Sequence, residues 1–276
     1  MAVSAVDIGT GSTIVFGTSA WAPRILSAKW SGIKRAAIST NYMGQAAAGA
    51  GTIANGTLIA GLLCDPGELD IEAHLASNAN TVYNGQGTVI TFPSGYAAKV
   101  LSGSWDGIKR EAIETTHIGI AAAGAGLVGN RTFIPGAITD PGEITLNLFF
   151  DTNTRPPVEE AAGSYVITPP NTSSFTVSGF ATDFDMDDPL EGAMTATLKI
   201  KPAGTITVAT APLFPIDAVA ETITVSWPLV AGGMTSATLA GSGFMTEVGF
   251  KFGMDEAMTV SAKCKWSGNL TVTAAT

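Results

Sequence analysis

Hydrophobic and polar residues alternate with a period of two in several short runs of this chain, and those runs recur. Leu69-Asp70-Ile71-Glu72-Ala73 places apolar side chains on one face and carboxylates on the other, the pattern of a half-buried strand. The same alternation runs through Thr195 to Ile200 and Thr259 to Cys264. β-Branched runs bounded by Gly, Pro, Ser and Asn, at Thr13 to Phe16 and Thr88 to Thr91, are followed by Ile25-Leu26 and Val100-Leu101 and predict short strands joined by turns. Tyr165 to Thr168 and Thr222 to Val225 each stop near a proline, which has no N–H to give a ladder. No long helical period appears in the second half of the chain.

The predicted strands belong to two internal duplications in the order A, A, B, B. Residues 12–75 match 87–150 at an offset of 75, with 28 identities in 64 positions, and 179–211 match 243–275 at an offset of 64. Trp30, Gly32, Ile33, Lys34, Arg35, Ala37 and Ile38 return as Trp105, Gly107, Ile108, Lys109, Arg110, Ala112 and Ile113. In the B copies Gly179-Phe180 answers Gly243-Phe244, Ala193-Met194-Thr195 answers Ala257-Met258-Thr259, and Lys199 and Lys201 answer Lys263 and Lys265. Periods this long do not suit a solenoid, so each copy is expected to be part of a domain with its own core.

Asp65-Pro66-Gly67-Glu68 and its copy Asp140-Pro141-Gly142-Glu143 read as type II turns, with Pro at the second position and Gly at the third. Gly44 to Gly56 and Gly119 to Gly129 are rich in Gly and Ala and nearly free of charge. Repeated Gly costs a helix about 1 kcal/mol each relative to Ala, so both are expected to be long loops. Loops of this length in a compact domain are usually functional, and an apolar one suggests a surface that another subunit covers. Asp151 to Ala161 and Ala209 to Ala220 read as linkers or exposed connections.

An A, A, B, B order resolves simply if the second A and first B copies form one domain, 86–220, inserted in another made of 1–85 with 221–276. Insertion at a surface turn threads no loop, whereas pairing first with first and second with second would interleave the domains. The expected fold class is therefore mainly β, with two similar β-sandwich or barrel-like domains, one nested in the other.

Composition sharpens this picture. At 276 residues the chain is long enough for two small cores without disulfides. Only 13% of residues are charged and mean hydropathy is positive, so apolar surface is expected to be covered by oligomerisation. No run of about 20 apolar residues and no cleavable leader is evident, so membrane insertion is not expected. The net charge is −9 and is concentrated in 86–220, which holds 7 Lys and Arg against 14 Asp and Glu. No basic stripe suited to gripping phosphates is visible. An acidic surface facing DNA would instead let it slide.

Candidate chemistry is thin. Gly124 to Gly129 fits G-x-G-x-x-G, but Phe133-Ile134-Pro135 follows where a dinucleotide site needs a helix. Asp183, Asp185, Asp187 and Asp188 resemble the start of a calcium loop, but Asp188 stands where Gly is needed and Met194 where Glu is needed, so a solvated turn is expected. His74 and His117 occupy non-equivalent positions, and no G-x-S-x-G elbow is present. Cys64 and Cys264 have no zinc-site spacing and are expected to be buried thiols. Neither catalysis nor a cofactor or metal is expected.

Three groups of residues carry a family resemblance: Ser102 to Gly119, Phe133 to Gly136 with Asp140 to Glu143, and Gly179-Phe180 through Lys199-Ile200. In order and spacing, Leu101 to Val208 resembles the major tail tube proteins of long, non-contractile phage tails. The resemblance implies a β-sandwich subunit whose sheets join sideways into rings that stack into a hollow tube for passage of double-stranded DNA. Because the fold is carried twice here, three chains would close a ring of six domains. It further implies a virion tail assembled in a bacterial host cytoplasm, with tail terminator, tail tip and tape-measure proteins as partners. The family's stacking loop looks like the two Gly-Ala loops, giving Gly44, Gln45, Ala48, Gly51, Asn55, Gly119, Ile120, Ala123, Gly126 and Asn130 as candidate ring-stacking residues. The N-terminal arm, Met1 to Gly11, would join them. Asp183, Asp185 and Glu191 are candidate bore-lining acids. Competing readings are a carbohydrate- or surface-binding β-sandwich module, expected to expose aromatics in a groove, and another self-assembling tube or shell protein such as a secretion-system tube.

Overall fold

The computed structural model describes residues 11–19, 21, 23–42, 57–75, 82, 84–122, 127–158, 161–170, 174–208, 219–228 and 236–274. These are mostly β-strand; the only helical turn among them is a 3-10 turn at Pro93–Gly95. The first A copy forms β1 (Thr13–Phe16), β2 (Arg24–Ser31), β3 (Lys34–Ser39), β4 (Leu58–Asp65) and β5 (Glu68–His74). The second forms β6 (Val89–Thr91), β7 (Lys99–Glu114), β8 (Leu127–Val128), β9 (Phe133–Asp140) and β10 (Glu143–Phe149). The B copies, each with the strand before it, give β11 (Gly163–Thr168), β12 (Phe175–Asp187) and β13 (Thr195–Val208), then β14 (Glu221–Trp227), β15 (Ala237–Gly253) and β16 (Thr259–Thr273).

Eight strands lie side by side, all antiparallel, in the order β2-β5-β16-β15-β7-β10-β13-β12. The first A copy is thus hydrogen-bonded to the second B copy through β5 and β16, and the second A copy to the first B copy through β10 and β13. The registers are the same. Leu69 faces Cys264 as Ile144 faces Ile200, and the A and B offsets carry every pair of the β10–β13 ladder onto the β5–β16 ladder.

Irregularities repeat as well. The β2–β5 ladder slips between Ile25 and Ser27, and the β7–β10 ladder slips at the equivalent Leu101. Thr182 and Thr246 are the extra residues at matching bulges in β12 and β15, and each hydroxyl donates to a carbonyl across the strand, of Lys199 and Lys263 respectively. The indole N–H groups of Trp30 and Trp105 each donate at 2.8 Å to the proline carbonyl of their own Asp-Pro-Gly-Glu turn. Those turns carry Gly67 and Gly142 at positive φ, 86° and 71°. A Cβ on Gly142 would stand 2.2 Å from the Asp106 carbonyl oxygen, so only glycine fits.

Alternation decides which side of the row is buried. Leu69, Ile71 and Ala73 of β5, Val248, Phe250 and Phe252 of β15, Trp105 of β7 and Ile144, Leu146 and Leu148 of β10 face one contiguous core. The N-terminal parts of β12 and β15 carry β11 and β14. Phe175, at the start of β12, brings its ring to 5.9 Å from Trp105 and 5.4 Å from Phe250, closing the core from the far side. The A copies differ in one respect: β7 is one continuous 16-residue strand that also pairs β9, whereas β2 and β3 are separated at Gly32-Ile33, and β3 with β4 makes a two-stranded sheet of its own.

Candidate functional site

The side of the row away from the core is polar. Ser27 and Lys29 of β2, Asp70 and Glu72 of β5, Lys263 of β16, Glu247 and Lys251 of β15, Ser102 and Ser104 of β7, Asn147 of β10, Thr197 and Lys199 of β13, and Asp183 and Asp185 of β12 alternate with the core residues just named. They are tied across strands: Ser27 to Glu72 at 3.3 Å, Lys263 to Glu247 at 3.7 Å, Asn147 to Ser102 at 3.0 Å, Thr197 to Asn147 at 3.1 Å and Lys199 to Asp183 at 2.7 Å. Two shallow depressions lie on this face, of about 520 Å³ between Ser102, Asn147 and Lys251, and about 430 Å³ between Lys29, Glu72 and Lys263. Among the described residues no group of three or more His, Cys, Asp or Glu is placed to hold a metal ion.

Asp183, Asp185 and Asp187 are on a strand, not in the solvated turn expected from their calcium-loop spacing. Asp183-Phe184-Asp185-Met186-Asp187 alternates with period two and pairs along β13, which settles it as β. The hydrogen bond from Lys199, then its charge, holds the Asp183 carboxyl below the usual aspartate range, and the same bond raises Lys199. A depressed acid favours the folded state above its unfolded pKa and loses that benefit as pH falls through its folded value. Carbon-detected NMR titration should therefore place the Asp183 midpoint below about 3.9, and Lys199→Ala should return it toward that value. A midpoint at or above it in the unsubstituted chain would mean the pair does not form.

Of the candidate stacking residues, Gly44, Gln45, Ala48, Gly51, Asn55, Ala123 and Gly126 lie outside the described residues, as do Met1 to Thr10. Gly119 lies with Ile118 in an exposed turn after β7, closed by a bond from the N–H of the half-buried Ile120 to the His117 carbonyl. The second Gly-Ala loop ends earlier than expected: Leu127 and Val128 form β8, pairing Thr271 and Leu270 of β16. A strand thus stands where a dinucleotide site requires a helix. Asn130 is buried and joins the two A copies; its amide accepts from the Cys64 N–H at 2.8 Å and donates to the carbonyls of Leu62 and Ala121. Asn130→Ala should cost about 1–3 kcal/mol in urea unfolding by stranding the buried Cys64 amide. A loss below about 0.5 kcal/mol would show that water replaces the side chain. Glu191 is exposed in the β12–β13 connection. His74 ends β5 and His117 follows β7; Cys64 and Cys264 are buried free thiols, and burial pushes the Cys264 thiol up.

One feature of the row escaped the sequence reading. Within this one sheet the two A–B strand pairings are joined where β15 pairs β7, with Glu247 opposite Lys109, Val248 opposite Ile108 and Phe250 opposite Trp105. Lys109 and Glu247 are 3.5 Å apart, and the Phe250 and Trp105 rings are 5.4 Å apart. The equivalent edges are β12 and β2, at the two ends of the row; beyond Ala181, no described residue pairs the outer side of β12, and none pairs the outer side of β2. Their side chains differ accordingly. Phe250 is 1% exposed and its counterpart Met186 53%; Ile108 is 3% exposed and Ile33 46%; Phe133 is 9% exposed and Leu58 64%. The chain matches no protein-family model, and no curated protein matches it.

Proposed function

We propose that this chain is a structural protein that assembles with copies of itself, two tail-tube-like units to a chain, into rings that stack as a hollow tube. The units are 1–85 with 221–276, and 86–220. The observation that carries this reading is the β15–β7 junction, which continues one row of strands across the internal duplication and leaves an equivalent strand edge at each end. Unpaired edges are normally shortened, charged or covered, because they template association. Three chains joined through such edges would close six units with pseudo-sixfold symmetry. The rows would then form the wall of a bore, their polar face toward the lumen, with Asp183 and Asp185 among the acids that keep passing DNA from sticking. Screening over about 8 Å at physiological salt makes that repulsion short in range. As in the family the chain resembles, the partners would be tail terminator, tail tip and tape-measure proteins in a virion tail.

Negative-stain electron microscopy of the purified full chain tests this. Rings or stacked tubes of even width support it, and a basic lumen in a reconstructed tube would remove the DNA-conduit part. A chain that stays monomeric at high concentration and binds sugar would replace it with the binding-module reading; none of the five tryptophans is exposed, and the exposed Tyr42, Phe149 and Phe180 line neither depression.

A further inference from the structure

Resting on the self-assembly reading, we infer that the C-terminal part of β12 pairs antiparallel with β2 of a second copy of this chain, in the register already used by β15 and β7. Subtracting the B offset from β15 and the A offset from β7 converts the internal junction into the external one. Asp183 then faces the second copy's Lys34, Phe184 its Ile33, Met186 its Trp30 and Asp187 its Lys29, the counterparts of Glu247–Lys109, Val248–Ile108, Phe250–Trp105 and Lys251–Ser104.

Three independent features support that register. The apolar side chains on both edges, Phe184 and Met186 on one and Ile33 and Trp30 on the other, include those that stay exposed although their counterparts are buried at the internal junction. The charges are complementary, with an aspartate on β12 opposite a lysine on β2 or just after it at both polar positions, and opposite charges across a ladder attract where like charges would repel. The glycine that marks the slip in the internal ladder is preserved: Gly107 has φ 81°, and Gly32, at the same place after β2, has φ 79°. The edges are also not self-complementary. β12 is acidic and β2 basic over the paired stretch, so two copies join head to tail rather than about a twofold axis, and the contact repeats until it closes.

The same register places the hairpin after β2 over the inner unit. Within the chain, the Lys265 ammonium sits 4.3 Å over the Phe133 ring and 2.9 Å from Asp65. Their counterparts are Lys201, Leu58 and Asp140, with Lys201 3.2 Å from Asp140 and Leu58 exposed. Leu58 of the second copy would cover Lys201 as Phe133 covers Lys265.

Cysteine crosslinking of the full chain tests the register. Asp187 and Lys29 lie at opposite ends of an eight-strand row, seven spacings or roughly 34 Å along it at about 4.8 Å each, so a disulfide between them forms between copies. The double variant Asp187→Cys with Lys29→Cys is expected to yield disulfide-linked multimers under mild oxidation. The control Asp185→Cys with Lys29→Cys, two residues out of register on the same face, is expected to yield at least ten-fold fewer. Met186→Asp is expected to abolish assembly in sedimentation velocity while leaving the far-UV circular dichroism and Tm of the chain unchanged. Equal crosslinking in the shifted control, or full assembly of Met186→Asp, would overturn this interface and leave self-assembly standing. An unsubstituted chain that remains monomeric would overturn both.

Discussion

Trp105→Ala is expected to lower the unfolding free energy by about 3–5 kcal/mol, the range for truncating a large buried aromatic. Trp105 is fully buried, packs against Phe175 and Phe250, and gives its indole N–H to the Pro141 carbonyl. Its truncation opens a cavity beside the β15–β7 ladder and strands that carbonyl. Trp30 occupies the same position in the first A copy and makes the same bond, to Pro66, but it is only partly buried because β2 is an edge strand. Trp30→Ala should cost less than half as much in the unassembled chain. Urea unfolding of the two variants at low protein concentration checks the difference. Equal losses would mean that β2 is covered as β7 is.

Asp65→Ala should be the second most damaging change, at about 3 kcal/mol. Lys265 reaches across from β16 to both carboxylate oxygens of Asp65, at 2.9 and 3.2 Å, with Glu68 farther off at 3.9 Å. Its side chain is 9% exposed, so without Asp65 the ammonium is held in a poorly hydrated site. Breaking one side of a buried pair leaves an uncompensated charge, whereas replacing both charges by apolar groups of similar size is often nearly neutral. Lys265→Met should cost less than Asp65→Ala, because the carboxylate it leaves behind is 20% exposed and still accepts from the Gly67 N–H, and the double change should partly rescue Asp65→Ala. The counterpart, Lys201 with Asp140, is 40% and 58% exposed. Asp140→Ala should change stability by at most about 1 kcal/mol, as for other surface pairs. Similar costs for Asp65→Ala and Asp140→Ala would contradict the difference in burial.

Much of the strand content could be read from residues alone. Leu69 to Ala73 alternates cleanly because one face of β5 meets the core and the other meets water, and Asp-Pro-Gly-Glu names its turn because Gly67 and Gly142 must adopt positive φ. The acid-rich stretch at Asp183 was harder. Aspartate is a poor strand former, and only pairing with β13, with Lys199 beside Asp183, makes that segment extended. Ladder slips at Leu101, Thr182 and Thr246 depend on partner strands far away in sequence, so no local signal announces them. The junction was least legible. Trp30 and Trp105 sit in nearly the same heptapeptide, and nothing within it says that one will be buried beneath β15 and the other left at an edge.

Carrying β15 and β7 in one polypeptide has a kinetic consequence. That junction is found by folding rather than by diffusion, under an effective concentration that for a tethered pair is on the order of millimolar. Its formation is insensitive to dilution, while the proposed β12–β2 contact would depend on how many chains are present. The two contacts are also encoded by different residues, so mutation can weaken the reversible one without loosening the permanent one. Phe250 against Trp105 and the proposed Met186 against Trp30 differ in that sense: the tethered contact has the stiff aromatic, and the one proposed between molecules would have the pliable thioether.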